Sequence, residues 1–206
     1  MADASWDGRR AAFRDASAWF VETTRSCEGR WHEPGLGEWT VLDLVGHTSR
    51  ALLTVEAYLD EAGAPLVVGS AAEYFTAALD TRGDPAAVAQ RGRAAGAALG
   101  PDAVQSVADI ASRVRGRIEA EHPDALVATP VGGMHLLDYL PTRTFELTVH
   151  TCDLAVALGL PLDIPQRSAA ESLDLAVQLA ARRGQGGVML LAATGRQGLP
   201  PGFSVL

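Results

Sequence analysis

The sequence predicts an all-α fold, a four-helix bundle with crossover connections and a short C-terminal appendage. Three observations predict it. Apolar residues recur at helical spacing through several long stretches. Strand signals are few. The stretches are divided by Gly- and Pro-containing breaks, as in bundles with long connections.

The elements follow in chain order. Trp6, Phe13, Trp19 and Phe20 fall at helical spacing, so residues 5–26 read as an amphipathic helix. GRWHEPGLGEW (29–39) has Gly, Pro and no period, and reads as a loop. Thr40 opens a second helix that runs to Asp60, with Asp43 three residues on in a capping-box-like start. EAGAPLVVG (61–69) breaks the pattern, and residues 70–79 form a short helix. Asp84-Pro85 supplies an N-cap and a first helical residue for a stretch through Leu99. Gly100-Pro101-Asp102 interrupts, and 103–121 continues as helix with Arg on its wet side. Residues 122–134 are a long connection with room for a brief extended piece. A helix follows from Leu136 to Leu158, and Pro141 inside it predicts a kink or a restart. Ser168 to Arg183 is another helix. The tail is Gly- and Pro-rich with one apolar patch. The expected division is a helical bundle over 1–184 and a short extension over 185–206.

Composition narrows the function. The 206 residues carry a formal net charge of -8, with no Lys. A nucleic-acid partner would want a basic face, and none is visible. There is no apolar run of about 18 residues, so no membrane span is expected. MADASWDGRR lacks the apolar core of a secretion signal and reads as cytoplasmic. Cys27 and Cys152 are the only cysteines and are expected as buried thiols, not a disulfide framework.

The chemistry lies on the helix around Glu146. With that residue at zero, His150 falls about 40° away, Asp153 about 20° the other way and Arg143 about 60° away. Phe145, Val149 and Val156 flank this stripe on one side; Leu147, Leu154 and Leu158 flank it on the other. The ionisable stripe therefore runs down an apolar face and must point into the bundle. A buried carboxylate and imidazole each need a partner or a metal. Four-residue spacing suits two ligands of one ion. A third should come from a facing helix, and His47 is the best candidate, set near Leu44, Ala51, Val55 and Tyr58. Two imidazoles and a carboxylate suit zinc with one position open, and nickel or iron also accept such ligands.

Other readings compete. A Glu–His pair four residues apart is often only a solvated ion pair. A buried Glu–His–Arg hydrogen-bond cluster without metal also satisfies the pattern. Arg50 and Arg143 either neutralise the stripe or bind substrate or thiol. Asp153 either orients a metal-ligating histidine by accepting its other ring N–H or pairs with an arginine elsewhere. His32 and His135 lie in loops and His122 precedes a proline, so surface roles are expected for all three.

W-T-V-L-D-L-V-G-H-T (39–48) resembles the segment with the first metal ligand of the DinB-like superfamily. R-T-F-E-L-T-V-H-T-C-D-L-A-V-A-L-G (143–159) resembles the second and third ligands in its mycothiol-dependent maleylpyruvate isomerase branch. The ending A-T-G-R-Q-G-L-P-P-G-F-S-V-L (193–206) is similar to members of that branch, and the likeness runs from about Trp31 to the end. The resemblance implies a zinc ion held by His47, Glu146 and His150, and mycothiol as co-substrate. A metal-bound thiol loses its proton near neutral pH and becomes a nucleophile for a small electrophile. If sulfur stays attached the enzyme is an S-transferase; if it adds, permits rotation and leaves, the enzyme is a cis–trans isomerase. Arg50 or Arg143 then holds a carboxylate. Two-domain members carry a further α/β domain, of which residues 185–206 would be a vestige, so maleylpyruvate itself is not the expected substrate. A non-catalytic metal-binding module and a hydrolase using bound water stand as alternatives. The loop 61–69 and the connection 122–134 are free to shape a pocket or a homodimer contact.

Overall fold

Most of the helices begin where a short polar side chain can take one of the free N–H groups of a first turn. Ser5 accepts from the Gly8 N–H, Ser70 from that of Glu73, Asp84 from that of Ala86 and Asp102 from that of Gln105. Thr40 and Asp43 form a full capping box: Thr40 Oγ1 accepts from the Asp43 N–H at 3.2 Å, and Asp43 Oδ2 accepts from the Thr40 N–H at 3.0 Å. In a computed structural model of the protein, residues 3–61, 63–81 and 84–206 are described. Met1 and Ala2 of the N-terminal segment and Ala62 of the 61–69 loop lie outside them.

The helices are α1 (Trp6–Arg25), α2 (Val41–Asp60), α3 (Ala71–Asp80), α4 (Pro85–Ala98), α5 (Ala103–Ala120), α6 (Leu136–Leu158), α7 (Gln166–Arg182) and α8 (Gly186–Ala193). A two-stranded antiparallel hairpin, β1 (Leu126–Thr129) and β2 (Gly132–His135), joins α5 to α6, with Leu126 opposite His135 and Thr129 opposite Gly132. The packing closes a ring: α1 on α6, α6 on α2, α2 on α5 and α5 on α1. That ring is the expected four-helix bundle, and the chain crosses from α2 to α5 through α3 and α4. Phe13, Phe20, Leu44, Leu52, Ile118, Tyr139, Leu147 and Leu154 fill its interior. A second apolar cluster, Ala72, Phe75, Phe145, Leu175 and Leu179, joins α3, α6 and α7.

The structure extends some expectations and corrects others. Of the kink or restart expected at Pro141, no restart occurs: α6 continues through it. Proline withholds one N–H, and in the second turn that costs only the bond to the Leu137 carbonyl, while packing on both sides holds the helix. The apolar patch of the tail is a helix, α8, packed on α7. The connection 122–134 carries a complete hairpin, so His135 ends a strand and sits at the N-terminus of α6 instead of in a loop. Gly159 ends α6 with φ 68°, a left-handed conformation that glycine adopts freely.

Glycines decide how closely α4 approaches α2. A Cβ on Gly46 would lie 2.0 Å from the Gly96 nitrogen, so the two backbones touch where those residues cross. A Cβ on Gly92 would lie 2.8 Å from the Trp39 ring, whose Nε1 donates to the Ala89 carbonyl at 3.1 Å. No helix of the described residues is long and apolar enough to cross a membrane.

Candidate metal centre

Two facing helices of the ring supply the site. Glu146 and His150 lie one turn apart on α6, and His47 meets them from α2. One ligand-capable atom from each of the three lies within 4.8 Å of the others, and no other such group of His, Cys, Asp and Glu occurs among the described residues. His150 Nε2 is 3.2 Å from Glu146 Oε2. The His47 and His150 rings meet edge to face with centroids 4.7 Å apart. Trp39 covers His47 from the other side at 4.5 Å.

Asp153 belongs beside this group, not in it. Its Oδ2 lies 3.0 Å from His150 Nδ1, the ring nitrogen turned away from Glu146. That contact fixes the ring orientation and leaves Nε2 facing the cluster. Arg143 is 7 % exposed, and its guanidinium carbon stands 4.9 Å from the Tyr139 ring and 5.4 Å from the Tyr74 ring. Its Nε donates to Thr142 Oγ1 at 2.9 Å, and a terminal nitrogen donates to Thr54 Oγ1 at 3.4 Å. Arg50 is half-buried at the wall of an adjoining cavity of about 220 Å³, which His47, Tyr58, Tyr74, Arg143 and Glu146 also line.

The electrostatics follow from these neighbours. Burial alone would raise the Glu146 carboxyl, but the His150 hydrogen bond and the Arg143 charge outweigh it and hold it at about 2. Burial would lower His150, but its hydrogen bonds to Asp153 and Glu146 raise it to about 9. His47 has no such partner: burial, helped by the His150 charge, takes it down to about 4. Burial would also pull Arg143 down, but the tyrosines and Glu146 around it raise its pKa. At neutral pH the site therefore holds a carboxylate, a neutral imidazole with a lone pair to offer and a second imidazole gripped by two carboxylates. His47 Nδ1 is buried with no hydrogen-bond partner. A neutral, underused imidazole beside a carboxylate and a second imidazole is a donor set that fits a divalent cation of the zinc type.

The other expected residues separate from this site. His32 and His122 are exposed, and His135 Nδ1 meets the Asp124 carbonyl at 3.1 Å. Cys27 is fully buried, with its thiol pushed up to about 12 by desolvation, whereas Cys152 is only half-buried. Arg143 is shared between tyrosine faces and threonine hydroxyls. Tyr139 and Tyr74 went unread in the sequence. Tyr139 was accessible there, because seven residues before Glu146 it falls on the same helical stripe. Tyr74 and Trp39 come from other elements, and no spacing links them to α6.

A family model described as the mycothiol maleylpyruvate isomerase N-terminal domain matches residues 10–155, well over half of the chain. No curated protein and no solved structure matches it. The chain belongs to the mycothiol maleylpyruvate isomerase N-terminal domain family, one of the DinB-like families.

Proposed function

We propose that this chain, as a member of that family, activates a low-molecular-weight thiol, mycothiol, for attack on a small electrophile, using a divalent metal held by His47, Glu146 and His150. The observation that carries the reading is the meeting of those three side chains from α2 and α6, with His47 and Glu146 on the wall of an adjoining cavity. A bound zinc, nickel or iron ion would supply a Lewis acid that lets a thiol ionise near neutral pH. Glu146 would contribute the anionic donor, His150 would give up its Nε2 proton to become a neutral donor from the same helix, and Asp153 keeps the His150 ring turned. Neutral His47 adds the third donor. Tyr58, Tyr74 and Phe75 give part of the cavity wall an aromatic surface beside the polar groups of Arg50, Arg143 and Glu146. Transfer and isomerisation differ only in whether the carbon–sulfur bond survives.

Asp153 favours catalysis over a closed structural site, because it faces the far side of His150 and leaves the cavity side to a ligand. The last residues of the 185–206 extension, Val205 and Leu206, pack against the cluster that holds Phe75 and Phe145. A cytoplasmic setting fits a reaction that consumes a reduced thiol.

The test is direct. Metal-loaded protein is incubated with mycothiol and a panel of electrophiles, and conjugate or isomer is followed. Turnover is expected in the wild type and lost in His47→Ala. A wild type that binds metal stoichiometrically yet shows no turnover above that variant would sink the proposal. Turnover without any thiol would instead assign a hydrolase.

A further inference from the structure

Arginines in this acidic chain are mostly spoken for. Arg10, Arg30, Arg113 and Arg167, for example, each lie against a carboxylate. Arg50 and Arg91 have no carboxylate within ion-pair distance among the described residues, and neither side chain donates a hydrogen bond there. Both charges act on His47. Arg143 is already held by Thr142, Thr54 and two tyrosine rings, so the unengaged arginines near the metal centre are Arg50 and Arg91.

They stand at one place. A groove of about 510 Å³ runs between α2 and α4, with Arg50 and Arg91 on its walls and Ala57, Ala94 and Ala95 among its small apolar surfaces. It shares Arg50, Thr54 and Tyr58 with the 220 Å³ cavity at His47 and Glu146, so the two form one cleft. No carboxylate lines the groove, and Glu146 stands only at the inner end. The placement of Arg91 is built in: the Gly46–Gly96 crossing and the Trp39 ring over Gly92 hold α4 against α2. The inner cavity alone is below the volume of an ordinary ligand site, while the groove lies within that range.

We infer that the cleft binds an elongated anion, with its acid group between Arg50 and Arg91 and its apolar body lying along Ala57, Ala94 and Ala95. Two guanidinium groups without internal partners suit a carboxylate or a phosphate, each able to accept paired N–H donors. The inference does not depend on the proposed function, because the clamp and the groove lie outside the three metal-ligand side chains. It moves the acid clamp away from Arg143 and onto α4, and it makes Arg91 a specificity-determining residue.

The probes are ω-phenyl carboxylates from 3-phenylpropanoate to 6-phenylhexanoate, the matching neutral amides and the matching alkyl phosphates. Each is titrated calorimetrically into the full-length, metal-loaded protein with no thiol present. At least one anion is expected to bind about tenfold or more tightly than its amide. Arg91→Ala and Arg50→Ala should each remove most of that preference, Arg91→Lys should keep part of it, and Arg196→Ala, an exposed charge in the tail, should keep all of it. The tighter of carboxylate and phosphate names the acid. An amide that binds as well as its anion throughout the series overturns the inference, as does a preference that survives Arg91→Ala. Because no turnover is read, anion binding without thiol chemistry would defeat the proposed function alone, and thiol chemistry without anion binding would defeat this inference alone.

Discussion

Two glutamates lie on opposite sides of α6, and their environments drive them apart. Glu146 sits on the inward stripe, a hydrogen bond from His150 and under the charge of Arg143, and its carboxyl is held at about 2. Glu171, on α7, is 6 % exposed beside Thr144 on the other side of α6, and desolvation pushes it up to about 7. Burial acts in the same direction on both. The difference is the company: histidines and an arginine at Glu146, hydroxyls at Glu171. Arg9 and Asp174 act on Glu171 only at a distance and with opposite signs, and the Arg9 Nε is turned to the Ala4 carbonyl. Glu171 Oε2 is buried without a hydrogen-bond partner, and so are the hydroxyls of Ser17, Thr151 and Ser172. A buried acid with a cation at hydrogen-bond distance stays ionised and able to ligate; one without it is best kept as a neutral acid.

The largest test of this contrast removes the ionised acid. Glu146→Ala should take the protein from a stoichiometric metal complement to almost none by elemental analysis. The wild type should gain about 4 kcal/mol from metal at a thousandfold over its Kd, and the variant should gain nothing in the same melts. A variant that keeps its metal would break the comparison.

Glu171 gives the next effect, with the opposite sign. Its folded pKa lies above the value near 4.5 expected unfolded, so the folded state holds more protons between those two values. Stability should therefore fall as pH rises from about 4.5 through about 7, and the cost should be complete above that. Glu171→Gln removes the charge, so it should stabilise the protein by up to about 3 kcal/mol at pH 8 and by little at pH 4. Denaturant melts of the two proteins at both pH values measure this; a constant difference would show that Glu171 does not titrate in that window.

The smallest effect sharpens the comparison from the histidine side. Asp153→Asn keeps the shape but weakens the grip on His150 Nδ1, and should lower metal affinity by about 10- to 100-fold without loss of fold. A competition titration against a chelator reads it. Unchanged affinity would show that the ring is oriented by packing alone.

The helical stripe of α6 was legible because a helix converts spacing into direction: residues 143, 146, 150 and 153 share a face whatever the helix packs against. The capping box at Thr40 and Asp43 was legible for the same local reason. His47 could be nominated from its own helix, but its meeting with His150 depends on how α2 and α6 pack. The hairpin between α5 and α6 was missed because Val127 to Met134 carries no clean alternation, and its placement depends on packing against α2 and pairing with the loop at Leu66. Glu171 gave no signal, since one glutamate on an amphipathic helix reads as solvated until a neighbour covers it.

The sequence by itself therefore determined the helices from α1 to α7, the caps at Thr40 and Asp84 and the ionisable face of α6, all fixed by contacts within a few residues. Only the tertiary structure decided that His47 completes the cluster, that two glycines let α4 bring Arg91 to the same cleft, and that one buried glutamate meets cations while the other meets hydroxyls. Those outcomes depend on which helices touch and how closely, and Coulomb and desolvation energies vary with such distances far more steeply than any local pattern records.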